Sequence, residues 1–409
     1  MRNTCRSCHH SNLNKVFSLG ELYVSNFVKN STDGTKAPLD LVVCSNCSLV
    51  QLAHTAVDPK MLYRTYWYKS GVSRTMVDAL ADITNKAEQI VALQKKDIVL
   101  DIGANDGTLL RSYRKKKIIK VGFEPARNLI LEAKAGTNKI INNFFNFSDF
   151  NTTFPKKKAK IITSIAMFYD VDKPNQFVKD IAKILDPNGA WIIQMAYLPS
   201  MLRFNAFDNI CHEHIEYYSL LSLENLLRRH KLEIFDVELN DINGGSFRTY
   251  IKHLKSTRIT PFANAKKRLE KQRSLEKKLM LNTVKPYQLF EQKVLGLKNE
   301  CVSFIKKQVT QGKTISVYGA STKGNTLLQY YGLHHPIIRS AAERNPNKWG
   351  LKTIATNIPI KSEEAVRDEK PDYMLVLPWH FLPEFMNREK EYLSNGGHFI
   401  VPLPEFRII

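Results

Sequence analysis

The amino-acid sequence predicts an α/β protein with a small N-terminal metal-binding module followed by two doubly wound domains. Three observations predict this arrangement. Two CxxC pairs lie in the first 50 residues, and two apolar strands, each followed by a glycine-rich turn and a helix, begin near residues 98 and 315. At 409 residues the chain is long for a single hydrophobic core, which agrees with two or three domains.

The four N-terminal cysteines form the pairs Cys5/Cys8 and Cys44/Cys47. In a chain without an export signal such pairs indicate metal binding rather than disulfides. Four thiolates complete a tetrahedral zinc site and leave no open position, so the expected role of the zinc is structural. Two unrelated redox or core pairs are the alternative. The two histidines that follow Cys8 are expected not to bind the metal.

The central region alternates between strands and helices. A helix is predicted from about 73 to 93, and strands are predicted at 98–102, 118–123, 161–164 and 190–194. This alternation is typical of a parallel sheet with helices on both faces.

A glycine turn, Gly103-Ala-Asn-Asp-Gly107, follows the first of these strands and comes directly after Asp101 and Ile102. Doubly wound sheets bind ligands at the carboxyl ends of their strands. Glu124, at the end of the next strand, is placed to accept hydrogen bonds from ribose hydroxyls. The spacing differs from the dinucleotide fingerprint and needs no phosphate. It suits S-adenosylmethionine (SAM), whose sulfonium cation favours nearby carboxylates and aromatic faces.

The segment from Cys211 to Tyr218, CHEHIEYY, places many polar groups in an otherwise apolar stretch. A zinc protease needs H-E-x-x-H, but position 216 is glutamate, and the deaminase motif H-x-E lacks its P-C-x-x-C. Glu213 and His214 are better interpreted as acid/base residues in a cleft that binds a ligand. A structural role for both side chains is the alternative.

The last third of the chain predicts a second α/β unit. Residues 255–310 have the pattern of one or two long amphipathic helices, and strands are predicted at 314–318, 373–377 and 398–401. Before them, the Asn-Gly-Gly sequence at 243–245 predicts a hairpin turn. After the strand at 314–318, the turn GASTKG carries a hydroxyl and an ammonium where an anion would sit. It is neither a Walker loop nor a dinucleotide fingerprint, so ATP and NAD are not indicated.

In this order, the motifs resemble the sugar C-methyltransferases that act on nucleotide-linked ketodeoxysugars. The resemblance spans nearly the whole chain, and the combination is more specific than any single motif. The matching segments are the two CxxC pairs, the Asp101–Gly107 turn, Glu213-His214 before Tyr217-Tyr218, Asn243-Gly244-Gly245-Ser246, the Gly319–Asn325 turn and Leu377-Pro378-Trp379.

The resemblance implies a zinc-binding module at 1–75, a class I SAM methyltransferase domain at 76–254 and a second Rossmann-like domain, with a helical linker, at 255–409. It implies methyl transfer to C-3 of a 4-keto-6-deoxy sugar in deoxysugar biosynthesis, with dTDP as the expected nucleotide carrier. The implied base is His214, beside Glu213. Carbon needs a neighbouring carbonyl, a base and a group that holds the enolate oxygen before it can accept a methyl.

The expected roles of individual residues follow from these motifs. His214 is expected to change its charge near neutral pH, and Glu213 to orient it or contact the sugar. The residues expected to bind the methyl donor are Asp101, Gly103, Asn105, Gly107, Glu124, Tyr66, Tyr68, Ser70, Phe144 and Phe145. Those expected to bind the sugar nucleotide are Cys211, Tyr217, Tyr218, Asn243, Gly244, Gly319, Ser321 and Lys323.

The sequence departs from the family pattern at four positions. Cys211 stands where some members have tyrosine, Ala166 and Asp170 stand where many have asparagine and histidine, and His380 replaces the usual asparagine after Pro-Trp. The differences at 166 and 170 suggest a separate branch and a different sugar, and Cys211 offers no phenol at its position.

The net charge of +21 keeps an RNA-binding methyltransferase with a zinc ribbon as the main alternative. The basic residues are dispersed, however, which favours a lysine-rich solvated surface and no nucleic-acid partner. A sugar-nucleotide-binding scaffold without activity is a second alternative. With no signal peptide and no run of 18 apolar residues, we expect a cytoplasmic protein without membrane contact, as a monomer or weak dimer.

Overall fold

The computed structural model describes residues 2–30 and 34–409. The N-terminal region is built on antiparallel strands, in which β1 pairs with β3 and β3 pairs with β4. Its elements are β1 (Leu13–Tyr23), β2 (Phe27–Val28), β3 (Lys36–Cys44), β4 (Val50–Leu52) and the short helix α1 (Pro59–Tyr63). Cys44 is the last residue of β3 and Cys47 lies in the turn between β3 and β4, so the metal-binding turn is also the turn of this hairpin.

The central region follows the predicted alternation. Its helices are α2 (Arg74–Ile90), α3 (Thr108–Arg111), α4 (Ile130–Lys134), α5 (Phe147–Thr153), α6 (Pro174–Ile184), α7 (Leu198–Arg203) and α8 (Leu220–Arg228). Its strands are β5 (Ile98–Ile102), β6 (Ile119–Phe123), β7 (Lys139–Ile141), β8 (Ala159–Ile165), β9 (Leu185–Ala196), β10 (Glu216–Tyr217), β11 (Leu232–Asn240) and β12 (Ser246–His253).

Seven of these strands form one sheet in the order β11-β12-β9-β8-β5-β6-β7. The pairs around β5 are parallel, and β12 is antiparallel to both β9 and β11. All five residues of β5 are buried, because helices cover both faces of a parallel sheet. The strand β9 starts five residues before its predicted start at 190, because a polar Asp-Pro-Asn-Gly stretch hides its first part in the sequence pattern.

The strand β10 does not join this sheet. It pairs with β4 in the N-terminal sheet, where Glu216 lies opposite Gln51 and Tyr217 opposite Val50. The segment with Glu213 and His214 immediately precedes β10. The metal-binding module therefore holds one end of the candidate catalytic segment.

The C-terminal region contains two long helices and a second sheet. Its helices are α9 (Ala265–Leu279), α10 (Lys285–Thr310), α11 (Thr322–Tyr331), α12 (Glu363–Asp368), α13 (Leu382–Arg388) and α14 (Lys390–Ser394). Its strands are β13 (Ile315–Tyr318), β14 (Ala341–Glu343), β15 (Lys352–Thr353), β16 (Ile360–Ser362), β17 (Tyr373–Val376), β18 (His398–Val401) and β19 (Arg407–Ile408). Six strands form a sheet in the order β16-β14-β13-β17-β18-β19, parallel except for β19. The strand β15 pairs with β2 of the N-terminal region.

The helix α9 packs against the central region, although the predicted boundary at 254/255 groups it with the C-terminal domain. Arg268 Nη2 lies 2.6 Å from Oδ2 of the fully buried Asp236 in β11. Glu276 accepts a hydrogen bond at 2.6 Å from the backbone N–H of Leu220, at the start of α8. Only the folded chain reveals these partners, because they lie 32 and 56 residues away in sequence. Within residues 2–30 and 34–409, no helix combines the length and apolarity needed to cross a bilayer.

Candidate active site and metal centre

The four predicted zinc ligands form one cluster. The Sγ atoms of Cys5, Cys8, Cys44 and Cys47 all lie within 4.8 Å of one another, with 3.6 Å from Cys5 to Cys47 and 3.4 Å from Cys8 to Cys44. Zn–S bonds of about 2.3 Å place the sulfurs of a tetrahedral site about 3.8 Å apart. The cluster therefore has the size of a zinc site, and the four thiolates would hold the ion with no open position.

The same backbone turn shapes both cysteine pairs. The residue after each pair has a positive φ, 61° at His9 and 60° at Ser48, and its N–H donates to the carbonyl of the pair's first cysteine. Arg6, inside the first pair, is buried and donates to the backbone carbonyl of Leu52 at 2.6 Å. The metal centre is thereby fixed to β4 and, through it, to β10.

A cavity of about 860 Å³ is lined by residues at the carboxyl ends of both parallel sheets and by the N-terminal region. This volume lies toward the upper end of the range for ligand pockets. The predicted site residues on its wall are Asp101, Gly103, Asn105, Glu124, Tyr66, Tyr68, Ser70, Phe144, Phe145, Glu213, His214, Asn243, Gly319, Ser321 and Lys323.

At one end of the cavity, the turn after β5 is held by the Glu124 carboxylate. Its two oxygens accept hydrogen bonds at 2.7 Å from the backbone N–H groups of Asn105 and Ala126. Burial nevertheless raises the pKa of Glu124 to about 7. Gly103 has φ 73°, and a Cβ there would lie 3.2 Å from Met167. A side chain at this position would therefore crowd Met167, another residue of the cavity wall.

The segment 68–71 is hydrogen-bonded to the same turn. The Asn105 side chain accepts from the backbone N–H of Ser70 at 2.9 Å and donates to the carbonyl of Tyr68 at 3.0 Å. The Asp101 carboxylate accepts from the Thr163 hydroxyl at 2.6 Å, and burial raises the pKa of Asp101 to about 8. Both buried carboxyl groups on this wall are therefore largely or partly protonated near neutral pH, and a cation bound beside them would favour their ionised forms.

His214 is held in one tautomer. Its Nδ1 lies 2.9 Å from the backbone carbonyl oxygen of Asn209, which can only accept, so Nδ1 carries the proton and Nε2 has the free lone pair. The ring packs on Tyr169 with centroids 4.3 Å apart. The group that orients His214 is thus this carbonyl, not Glu213. The Glu213 side chain lines the cavity, and its backbone carbonyl accepts from Tyr63.

The expectation that His214 changes its charge near neutral pH is wrong. Burial, reinforced by the nearby Lys323 ammonium, lowers the pKa of His214 to about 3. Burial raises the pKa of Glu213 to about 7, against the opposing effect of Lys323. The imidazole is therefore neutral at physiological pH, and Glu213 is the group of this pair that titrates there.

The turn after β13 lies against the catalytic segment. Gly319 has φ 86°, and a Cβ there would approach Pro378 to 2.6 Å, so a side chain is excluded. The Ser321 hydroxyl accepts from the backbone N–H of Gly324 and caps α11. Lys323 Nζ donates to Oδ1 of Asn209 at 2.6 Å, so the ammonium reaches across to the central region.

Five predicted site residues are not among those that border the cavity in the described part of the chain. Tyr218 is fully buried, where its hydroxyl donates to Glu216 at 2.7 Å. Gly244 packs against the indole of Trp379, which a Cβ would approach to 2.8 Å. The five residues are Gly107, Cys211, Tyr217, Tyr218 and Gly244. They were predicted because they are close in sequence to other functional residues. The backbone, however, places them in the core or beneath the residues that line the cavity.

The polar wall residues that were not predicted to bind a ligand include Asp170, Asp208 and His380. Asp170 and His380 were noted only as departures from the family pattern. Burial raises the pKa of Asp170 well above its usual value, and the charge of Glu213 adds to this. Asp170 and His380 lie a few residues after the strands β8 and β17, which is the signal the sequence offered for them, whereas Asp208 follows the helix α7 and had none.

Comparisons with known proteins agree with this architecture. Residues 5–63 match a zinc binding domain, residues 72–237 a methyltransferase domain and residues 241–404 a C-methyltransferase C-terminal domain. The chain is 30% identical to the C-methyltransferase NovU of Streptomyces niveus over 410 residues, which cover 99% of this chain and 96% of the relative. The chain belongs to this C-methyltransferase family. The resemblance and the fold class inferred from the sequence are confirmed.

Solved methyltransferase structures cover less than half of the chain at low overall similarity. A complex of the Haloferax volcanii Trm112 activator with a methyltransferase gives a TM-score of 0.35 at 17% identity, covering 44% of this chain and 94% of that one. An S-adenosylmethionine-dependent methyltransferase from Clostridium acetobutylicum gives 0.34 at 14% identity, covering 43% and 92%. The enzyme is a SAM-dependent C-methyltransferase with a zinc module, as the family models and the cysteine cluster show.

Proposed function

We propose that the enzyme methylates C-3 of a nucleotide-linked 4-keto-6-deoxyhexose, with dTDP as the carrier. The observation that carries this proposal is the fixed tautomer of His214, which leaves a neutral imidazole lone pair on a cavity wall. The same cavity is bordered by the turn after β5 and by the turn after β13. A base between a donor site and an anion site is what C-methylation of a ketosugar requires.

In the proposed reaction, Nε2 of His214 takes the proton from the carbon next to the keto group. The electrons of that C–H bond form the enolate, whose oxygen would need a hydrogen-bond donor or a positive charge on the cavity wall. SAM supplies an electrophilic methyl, which the enolate carbon accepts in line while the S–CH₃ electron pair returns to sulfur. Glu213, with a pKa of about 7, would contact the sugar and stabilise the imidazolium that forms beside it.

Incubation of the enzyme with SAM and a panel of nucleotide 4-ketosugars, followed by mass spectrometry, tests the proposal. One acceptor should gain a single methyl group, and NMR should place it on C-3. Binding of SAM without methylation of any 4-ketosugar would contradict the proposed reaction. Salt-dependent binding of RNA together with methylation of RNA would instead support the RNA methyltransferase alternative.

Replacing Glu124 by alanine is expected to weaken SAM binding by roughly 2 kcal/mol, the scale of a hydrogen bond to a charged group. The reason is that the ribose hydroxyls lose their acceptor and the turn after β5 loses the carboxylate that holds Asn105. Calorimetry with S-adenosylhomocysteine measures the effect. Glu124→Gln, which keeps one acceptor, should lie between wild type and Glu124→Ala, and unchanged affinity in both variants would reject this donor site.

Replacing Lys323 by alanine is expected to weaken binding of the sugar nucleotide tenfold or more, while SAM binding stays unchanged. Its ammonium lies on the cavity wall at the start of α11, where the diphosphate is proposed to bind. Separate titrations with dTDP and with S-adenosylhomocysteine check this. Lys370→Ala, at an exposed lysine, serves as the control. Loss of SAM affinity with intact dTDP affinity would reverse the assignment of the two turns.

A further inference from the structure

Two residues of the cavity wall, one from each domain, carry a buried polar atom. Asp208 is 2% exposed, and its Oδ2 accepts from the indole Nε1 of Trp379 at 3.2 Å. Its other oxygen, Oδ1, has no hydrogen-bond partner in the part of the chain that the structure describes. Nδ1 of His380 is likewise buried and unpartnered among those residues. Both side chains line the cavity.

The surrounding packing keeps the two groups in place. Trp379 lies against Gly244, where any side chain would collide with the indole. The His380 ring contacts Phe381 with centroids 4.4 Å apart. Beside Asp208, the side chain of Asn209 is bound by Lys323 at 2.6 Å.

A buried polar atom without a partner destabilises the folded protein, and in a ligand cavity the natural compensation is a group on the ligand. A carboxylate oxygen accepts a hydrogen bond, and a neutral imidazole offers one N–H donor and one acceptor. A hydroxyl satisfies both groups at once, because it donates to one and accepts from the other. A ketone oxygen could satisfy only the imidazole.

We propose that Asp208 and His380 determine specificity by holding one hydroxyl group of the acceptor sugar between them. This inference rests on the proposed function and adds to it, since it selects acceptors that keep a ring hydroxyl over their deoxy analogues. The departure of His380 from the asparagine that is usual in the family falls at this site. It gives a physical reason why this enzyme would accept a different sugar.

The test compares dTDP-4-keto-6-deoxyglucose with its 2-deoxy and 3-deoxy analogues. For wild type, kcat/KM and affinity are expected to fall by on the order of 10²-fold or more with the analogue that lacks the bound hydroxyl. In His380→Phe this discrimination should shrink to a few-fold, and in Asp208→Asn it should fall in part, because the amide keeps one acceptor; SAM affinity should stay unchanged in both. His380→Asn should restore part of it, because the amide still donates and accepts. His334→Phe, at an exposed histidine of the same domain, is the matched control.

Each outcome bears on one of the two proposals. Equal use of all three acceptors by wild type, or full discrimination in both variants, would overturn the role of Asp208 and His380. If calorimetry shows the expected discrimination in binding but no acceptor gains a methyl, the proposed reaction fails and the hydroxyl site stands. If none of the three compounds binds, both proposals fail. Asp208→Asn keeps the test decisive should His380→Phe not fold.

Discussion

The variant His214→Asn is expected to lose turnover by on the order of 10²–10⁴-fold, the contribution of a positioned general base. Asparagine is close in size and can still donate to the carbonyl of Asn209, so the fold and both ligand affinities should persist. Turnover at saturating SAM and acceptor measures the loss. Exchange of the C-3 proton with deuterated water, if wild type shows it, should disappear in the variant.

The neighbouring variant Glu213→Gln separates the two candidate bases. Because His214 stays neutral down to a pKa of about 3, a rise of kcat with pH through about 7 would report ionisation of Glu213. The measurement uses saturating SAM, so that titration of Glu124 in the free donor site does not change the measured kcat. Glu213→Gln should reduce turnover less than His214→Asn does, and its kcat should no longer rise with pH near 7. If His214→Asn is active while Glu213→Gln is inactive, Glu213 is the base. If both variants are active, the pair has a structural role.

The variant Cys47→Ser is expected to lose zinc and a large part of the protein's stability. Zinc binding contributes about 10–16 kcal/mol in small zinc-finger peptides. Here the rest of the fold has its own cores, so we expect a loss of several kcal/mol and a fall in melting temperature of on the order of 10 °C. Metal analysis and thermal unfolding measure both. The main loss should be in the melting temperature, and turnover by the fraction that stays folded should change less.

The matched control is Cys301→Ser, at a buried cysteine outside the cluster. It should keep one zinc per chain. Purified wild type with no zinc, or with two zinc ions per chain, would contradict the assignment of a single structural site. An unchanged melting temperature in Cys47→Ser would show that the metal does not stabilise this module.

Local patterns were enough to predict which residues form most of the proposed donor site. A strand, a glycine turn and a carboxylate at the end of the next strand are close in sequence, and the parallel sheet brings their ends to one edge. Asp101, Gly103 and Glu124 therefore line the cavity as expected. The prediction that Tyr217 and Tyr218 bind the sugar nucleotide fared less well. No sequence pattern shows that β10 pairs with the N-terminal sheet instead of the central sheet, or that both side chains are buried there.

The sequence by itself determined the metal ligands, the doubly wound regions and the pair Glu213-His214, because each depends on spacing within a short segment. Only the tertiary structure decided which groups face one another across the cavity. The carbonyl of Asn209 fixes the tautomer of His214, and burial, not the neighbouring glutamate, sets its charge. Hydrogen bonding and desolvation depend on atoms brought together from distant parts of the chain, and the sequence pattern does not contain them.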